Sequence, residues 1–174
     1  LLLLHWPSKT VPLAETIAAL NEVKAKGQTR HIGVSNFTTA MLDEATRLSA
    51  APLVTDQVEY HPFLSQTKVL ATLKRHGMAL TAYCPIARGK VVGEPTLERI
   101  GRAHGKTASQ VALRWLVQQE GVIAIPRSSD EKRIEENLAL FDFALSAEEM
   151  RTIHAMGSPQ GRVVNIAQAP AWDD

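Results

Sequence analysis

Five apolar runs in this sequence end in side chains that sit poorly inside a strand. "LLLL" is followed by His5 and Trp6, "HIGV" by Ser35 and Asn36, and "LVTDQVEYH" carries Gln57, Glu59 and His61 towards its end. "MALTAY" closes on Tyr83, and "VIAIP" runs into Arg127 and Ser128. The carboxyl rim of a parallel barrel collects such groups into one pocket. Polar residues can also simply mark strand ends, and that reading suits any one position. All five together, with glycine and asparagine in the same loops, point to a site. Arg127 and Arg133 lie six residues apart across "RSSDEKR". Two guanidinium forks beside the free N–H groups of a helix start suit a phosphate dianion. Taken singly, Arg133 also reads as a solvated helix charge, Tyr83 as packing and His5 as a satisfied core histidine.

Positioning these groups requires an alternation of strands and helices. "PLAETIAALNEVKAKG" sets Leu13, Ile17, Leu20 and Val23 at helical spacing, and Gly27 stops it. "TTAMLDEATRLS" is a helix capped by Thr38 or Thr39, and "QTKVLATLKRHG" is another. "TASQVALRWLVQQEG" starts at Thr107, "SDEKRIEENLALF" at Ser129 or Asp130, and "SAEEMRTIHAM" precedes an irregular tail. Pro62 ends the third β-run. Strands alternating with helices imply a parallel sheet with helical crossovers. "LLLL", "HIGV" and "VIAI" are apolar on both faces, as strands covered by helices should be. A doubly wound dinucleotide unit should show G-x-G-x-x-G after its first strand, and none is present. "GRAHGKT" has one residue too few between its glycines for a phosphate loop and lies between helices, so helix-ending glycines explain it.

Composition sets the class. The 174 residues are 45% hydrophobic and 21% charged, with a net charge of +1, which suits one globular domain over 1–174. Near-neutral charge gives no reason to expect nucleic acid or an acidic membrane as partner. Cys84 is the single cysteine, so no internal disulfide forms and a reducing, cytoplasmic setting fits. Nothing approaches the roughly 20 apolar residues of a membrane span. The opening leucines lack the basic leader, length and cleavage site of a secretory signal. His31, His61, His76, His104 and His154 show no ligand spacing, are read as surface or helix-end residues, and imply no metal.

The motifs "LLLLHWP", "GVSNF", "DQVEYHP", "AYCPIARG", "ASQVALRWL", "IPRSSDEKRIEEN" and "APAWD" together resemble the aldo-keto reductases, in particular bacterial 2,5-diketo-gluconate reductase-like members. The resemblance implies an α/β fold, a (β/α)8 TIM barrel represented here by strands four to eight, with residues 157–174 as a loop over the substrate. It implies NADPH as cofactor. His5 would orient the substrate carbonyl, and Trp6 and Trp172 would line its pocket. Ser35, Asn36 and Gln57 would bind the nicotinamide carboxamide, and Tyr83 would stack on the ring. Cys84, Ile86 and Arg88 would pass over the pyrophosphate. Arg127, Ser128 and Arg133 would hold the 2′-phosphate, with Glu136 and Asn137 near the adenine. Arg127 stands where lysine is usual, and favours bidentate phosphate contact. Cys84 stands where serine is common and is the weaker donor.

The family's proton-donating tyrosine, with its lysine and aspartate, comes from the first three βα units, which are not in this sequence. At about 30 residues per unit they would bring the total towards the ~250 of a complete barrel. The implied activity of the intact protein, a monomer, is NADPH-dependent reduction of a small aldehyde or ketone to the alcohol. Rival readings are a cofactor-binding regulatory subunit without turnover and a non-catalytic remnant. Residues 1–174 alone are expected to be insoluble or molten, and inactive, because five strands leave apolar edges unpaired.

Overall fold

The structure, a computed structural model, describes residues 1–173. Its strands are β1 (Leu2–Leu4), β2 (Ile32–Ser35), β3 (Leu53–Glu59), β4 (Ala79–Tyr83) and β5 (Val122–Ala124), in one sheet that follows sequence order. β1 pairs with β2, and β2 with β3, in parallel register: Leu4 lies opposite Val34, and Ser35 opposite Gln57. Between the strands run helical crossovers. This is the parallel α/β arrangement that the alternating pattern requires.

The chain packs as two compact units. The first comprises residues 1–58, 66–81 and 165–173. Its helices are α1 (Leu13–Ala25), α2 (Thr39–Leu48) and α3 (Thr67–Arg75). Ile17 and Leu20 of α1, Leu42 and Ala45 of α2, and Val69 and Leu73 of α3 are buried, as are all four residues of β2. Each fully buried aliphatic side chain contributes about 1.5–3 kcal/mol. Leu13 and Val23 complete the stripe on α1 but are only half-buried. Thr38, not Thr39, caps α2, accepting from the Met41 N–H at 3.4 Å.

The second unit comprises residues 59–65 and 82–164. It holds α4 (Pro95–His104), α5 (Ala108–Val117), α6 (Glu131–Leu138) and α7 (Ala147–His154). Capping boxes start α5 at Thr107 and α7 at Ser146, and Asp130 caps α6. Leu97 and Ile100 of α4, Val111, Leu113, Trp115 and Leu116 of α5, and Ile153 of α7 are buried.

Four features differ from the sequence-based expectations. An extra helix, α4, covers "PTLERIGRAH", with Pro95 at its start and Gly105 ending it at φ 66°. Gly101 is inside that helix rather than at its end: a Cβ there would come within 2.4 Å of the Lys106 carbonyl oxygen. β3 stops at Glu59, before Pro62, and α6 stops at Leu138, before Phe141. By contrast, β1 and β5 are the outer strands of the sheet, as expected of five strands, and are not covered like β2. Leu1 is 66% and Ile123 52% exposed, with Leu2 and Ile125 also exposed.

Candidate functional site

In the first unit, β1, β2 and β3 bring His5, Ser35, Asn36 and Gln57 to their carboxyl ends. Asn36 adopts the left-handed backbone at φ 63°, a conformation asparagine tolerates better than most residues. Its Nδ2 donates to the His5 carbonyl and to Ser35 Oγ, both at 3.0 Å. Ser35 Oγ in turn donates to the Gln57 carbonyl at 2.6 Å, and the Asn36 N–H to that same carbonyl at 3.0 Å. One buried network therefore ties three strand ends together, and the Ser35 proton is spent within it. The half-buried Gln57 amide and the exposed His5 imidazole make no hydrogen bond to the protein among the described residues.

The end of the tail is held within this unit at two adjacent residues. Trp172 packs edge-on against Trp6, ring centroids 6.2 Å apart. Asp173 accepts from the Thr39 N–H at 2.8 Å and the Thr39 hydroxyl at 2.9 Å, placing a carboxylate at the N-terminus of α2. The Lys68 ammonium donates to the Asp173 carbonyl. Beneath the strand ends, Asp56 is wholly buried, and its Oδ2 has no hydrogen-bond partner. Burial pushes its carboxyl well above the usual range; a long contact to the Phe37 N–H opposes this, and the Asp173 charge adds to it.

In the second unit, Tyr83 ends β4 and leads into a tightly folded loop. Cys84, Ala87 and Arg88 all have positive φ, at 49°, 48° and 54°. Such backbone costs free energy and is frequent at binding sites. Ile86, Arg127, Ser128, Arg133, Glu136 and Asn137 line one cavity of about 790 Å³. Tyr83, Cys84 and Arg88 are not among its walls. Neither the Arg127 nor the Arg133 guanidinium has a protein partner among the described residues, and both residues are exposed. The main-chain donors are less open than the sequence suggests, because Asp130 Oδ1 accepts from the Arg133 N–H at 3.0 Å.

Several residues here escaped sequence reasoning. Lys106 lines the same cavity and is held by Asp142 at 2.6 Å. His61 is not a surface residue: it is 0% exposed, and its Nε2 lies 2.8 Å from Glu59 Oε1. β3 ends at Glu59, so His61 lies just beyond it, in an isolated bridge with Leu64. His76 and His104 close α3 and α4 and contact Asp43 and Glu149. Burial pushes the Glu59 carboxyl up, but the His61 hydrogen bond and the Val163 and Val164 N–H groups outweigh it, leaving the pKa below its ordinary value. Among the described residues, no cluster of three or more His, Cys, Asp or Glu could hold a metal. No helix among them is long and apolar enough to cross a membrane.

Comparison with known proteins supplies the lineage. The model of the aldo/keto reductase family matches residues 1–157. Methylglyoxal reductase DkgB of Escherichia coli O157:H7 is 37% identical over 99% of this chain and 66% of its own length, so the chain spans just under two thirds of that relative. The crystal structure of a protein assigned as a 2,5-diketo-D-gluconic acid reductase B superposes with a TM-score of 0.97 and 56% identity. It covers 99% of this chain and 62% of that one. A Gox0644 mutant in complex with NADPH gives a TM-score of 0.86 at 34% identity, covering 94% of this chain and 61% of its own. The chain thus belongs to the aldo/keto reductase family, and its sheet is the kind found in that family's (β/α)8 barrels.

Proposed function

We propose that the intact protein reduces a small aldehyde or ketone to the corresponding alcohol, using NADPH in the cytoplasm as a monomer. We assign residues 1–174 to one domain, strands four to eight of a (β/α)8 barrel, with residues 157–174 forming a loop over the substrate. The observation that carries the reading is the cavity at the start of α6, where two guanidinium groups without protein partners flank one space. A phosphate dianion satisfies both, and Arg127, Ser128 and Arg133 would hold it. Ile86, with Cys84 and Arg88 beside it, would follow the pyrophosphate, and Glu136 and Asn137 the adenine. Bound NADPH supplies the hydride. The reductase names of the relatives and the NADPH complex of one of them support the same reading.

The chain's own residues do the rest. Gln57, Ser35 and Asn36 fix the carboxamide end, Ser35 accepting rather than donating because its proton is committed to the Gln57 carbonyl. Tyr83 offers a flat face to the ring. His5 hydrogen-bonds the substrate oxygen and orients it, and Trp6 and Trp172 exclude water. The proton to that oxygen would come from a tyrosine, tuned by a lysine and an aspartate, on barrel segments outside these residues. The test is to mix the full-length protein with NADPH and methylglyoxal, glyoxal or other small aldehydes. Aldehyde-dependent loss of NADPH absorbance, with one alcohol formed per NADPH, is expected. Tight NADPH binding without turnover would select a regulatory role instead.

A further inference from the structure

Glu59 closes β3 at 1% exposure, and a carboxylate this buried must be well satisfied to be tolerated. Its partners are specific. Oε1 accepts from the Val163 N–H at 2.6 Å and Oε2 from the Val164 N–H at 2.8 Å. His61 adds a further one: its Nδ1 accepts from the Phe63 N–H at 3.3 Å, which leaves the Nε2 proton for Glu59 Oε1. Just before these amides, Ser158 donates to the Phe63 carbonyl at 3.0 Å. Gly161 lies so close to that carbonyl that a Cβ would sit 1.7 Å from its oxygen. Only glycine lets the chain run over the 61–65 turn and deliver two consecutive N–H groups to one carboxylate.

Beyond Val164 the chain continues as the tail. Eight residues on, Trp172 reaches Trp6, and Asp173 is pinned by Thr39. Between these points, the Lys9 ammonium donates to the Ala167 carbonyl at 2.8 Å. The tail is therefore fastened at its start by Glu59 and at its end by Asp173. We infer that Glu59, oriented by His61, is a positioning residue for substrate recognition: it clamps the start of the tail and so sets carbonyl affinity without touching the substrate. This rests on the reductase reading above. Releasing one anchor widens the positions open to Trp172 but leaves His5 and the strand-end network as they are.

The test uses the full-length protein with Glu59→Gln, and with Val163→Pro as a second variant. Val163→Pro removes one donor and sets its ring Cδ where the N–H met Oε1, so it breaks the clamp from the tail side while Glu59 and His61 themselves are kept; Arg162 at φ −57°, ψ 128° already has the backbone that precedes proline. In both, KM for the aldehyde should rise about tenfold, the loss of roughly one charge-assisted hydrogen bond. Turnover at saturation and NADPH affinity should change less than about twofold on the same scale. Hydrogen exchange at the Val164 amide should accelerate in both. A purely structural role predicts lower stability with KM unchanged; that result overturns the inference, as does a fall in turnover at constant KM. If Glu59→Gln does not fold, Val163→Pro decides alone. Wild-type protein that turns over no carbonyl refutes the reductase reading; an active wild type with unmoved KM in the variants refutes only the clamp.

Discussion

At the ends of β1–β3 the Ser35 and Asn36 side chains spend hydrogen bonds on each other and on the His5 and Gln57 carbonyls, whereas the arginines at the start of α6 spend theirs on nothing in the described protein. The first region is a rigid frame: a buried network fixes the backbone around His5, Asn36 and Gln57 before any ligand arrives. The second is an open electrostatic socket, costing little in the empty protein because its charges remain hydrated. A frame of this sort serves geometry at the reacting atoms. A socket serves affinity and the choice between anionic ligands. Substitutions in the two regions should therefore fail in different ways.

The largest effect is expected at His5. In the full-length enzyme, His5→Ala should lower turnover by about 10²–10³-fold, as for removal of one donor to a reacting oxygen, while NADPH binding stays nearly intact. Fluorescence titration beside steady-state rates separates the two; lost cofactor binding in a folded variant would move His5 out of the frame. Asn36→Ala breaks the frame itself. Two hydrogen bonds and a left-handed backbone make about 2–3 kcal/mol of destabilisation reasonable by denaturant melt. Asn36→Gly should cost less, because φ 63° suits glycine.

Smaller effects refine the comparison. Asp130→Ala removes the cap of α6 and should cost about 1 kcal/mol. It also frees the Arg133 N–H and removes a negative charge that repels a phosphate in the socket, so NADPH should bind at least as tightly as before. Weaker binding would assign Asp130 to the ligand instead. Asp56 offers a pH test within the frame. Its folded pKa is raised, so the proton it keeps when folded favours the native state below the unfolded pKa near 3.8, and this advantage is lost as pH rises through the folded value. Asp56→Asn should thus gain stability relative to the parent as pH increases from about 4 upward. A constant difference across that range would show that Asp56 is not held protonated.

The two regions also differ in how legible they were. Strand ends could be read because apolar runs stop abruptly at polar groups, and caps could be read at Thr107 and at the Ser129–Asp130 pair because the chemistry is local. The extra helix α4 could not, since Gly101 looks like a stop until the Lys106 carbonyl that demands it is in view. The buried His61–Glu59 pair escaped for the same reason: the Val163 and Val164 amides that help satisfy its carboxylate lie about a hundred residues away in sequence. The Asp173 anchor on Thr39 combines two surface-like polar residues with no motif between them.

The central claim is that the socket at α6 reads a phosphate that distinguishes NADPH from NADH. Titration of full-length Arg133→Ala with each cofactor tests it directly. One lost charge-assisted contact should weaken NADPH by about ten- to a hundredfold and leave NADH nearly unchanged. Equal weakening of both cofactors, or of neither, would contradict the account.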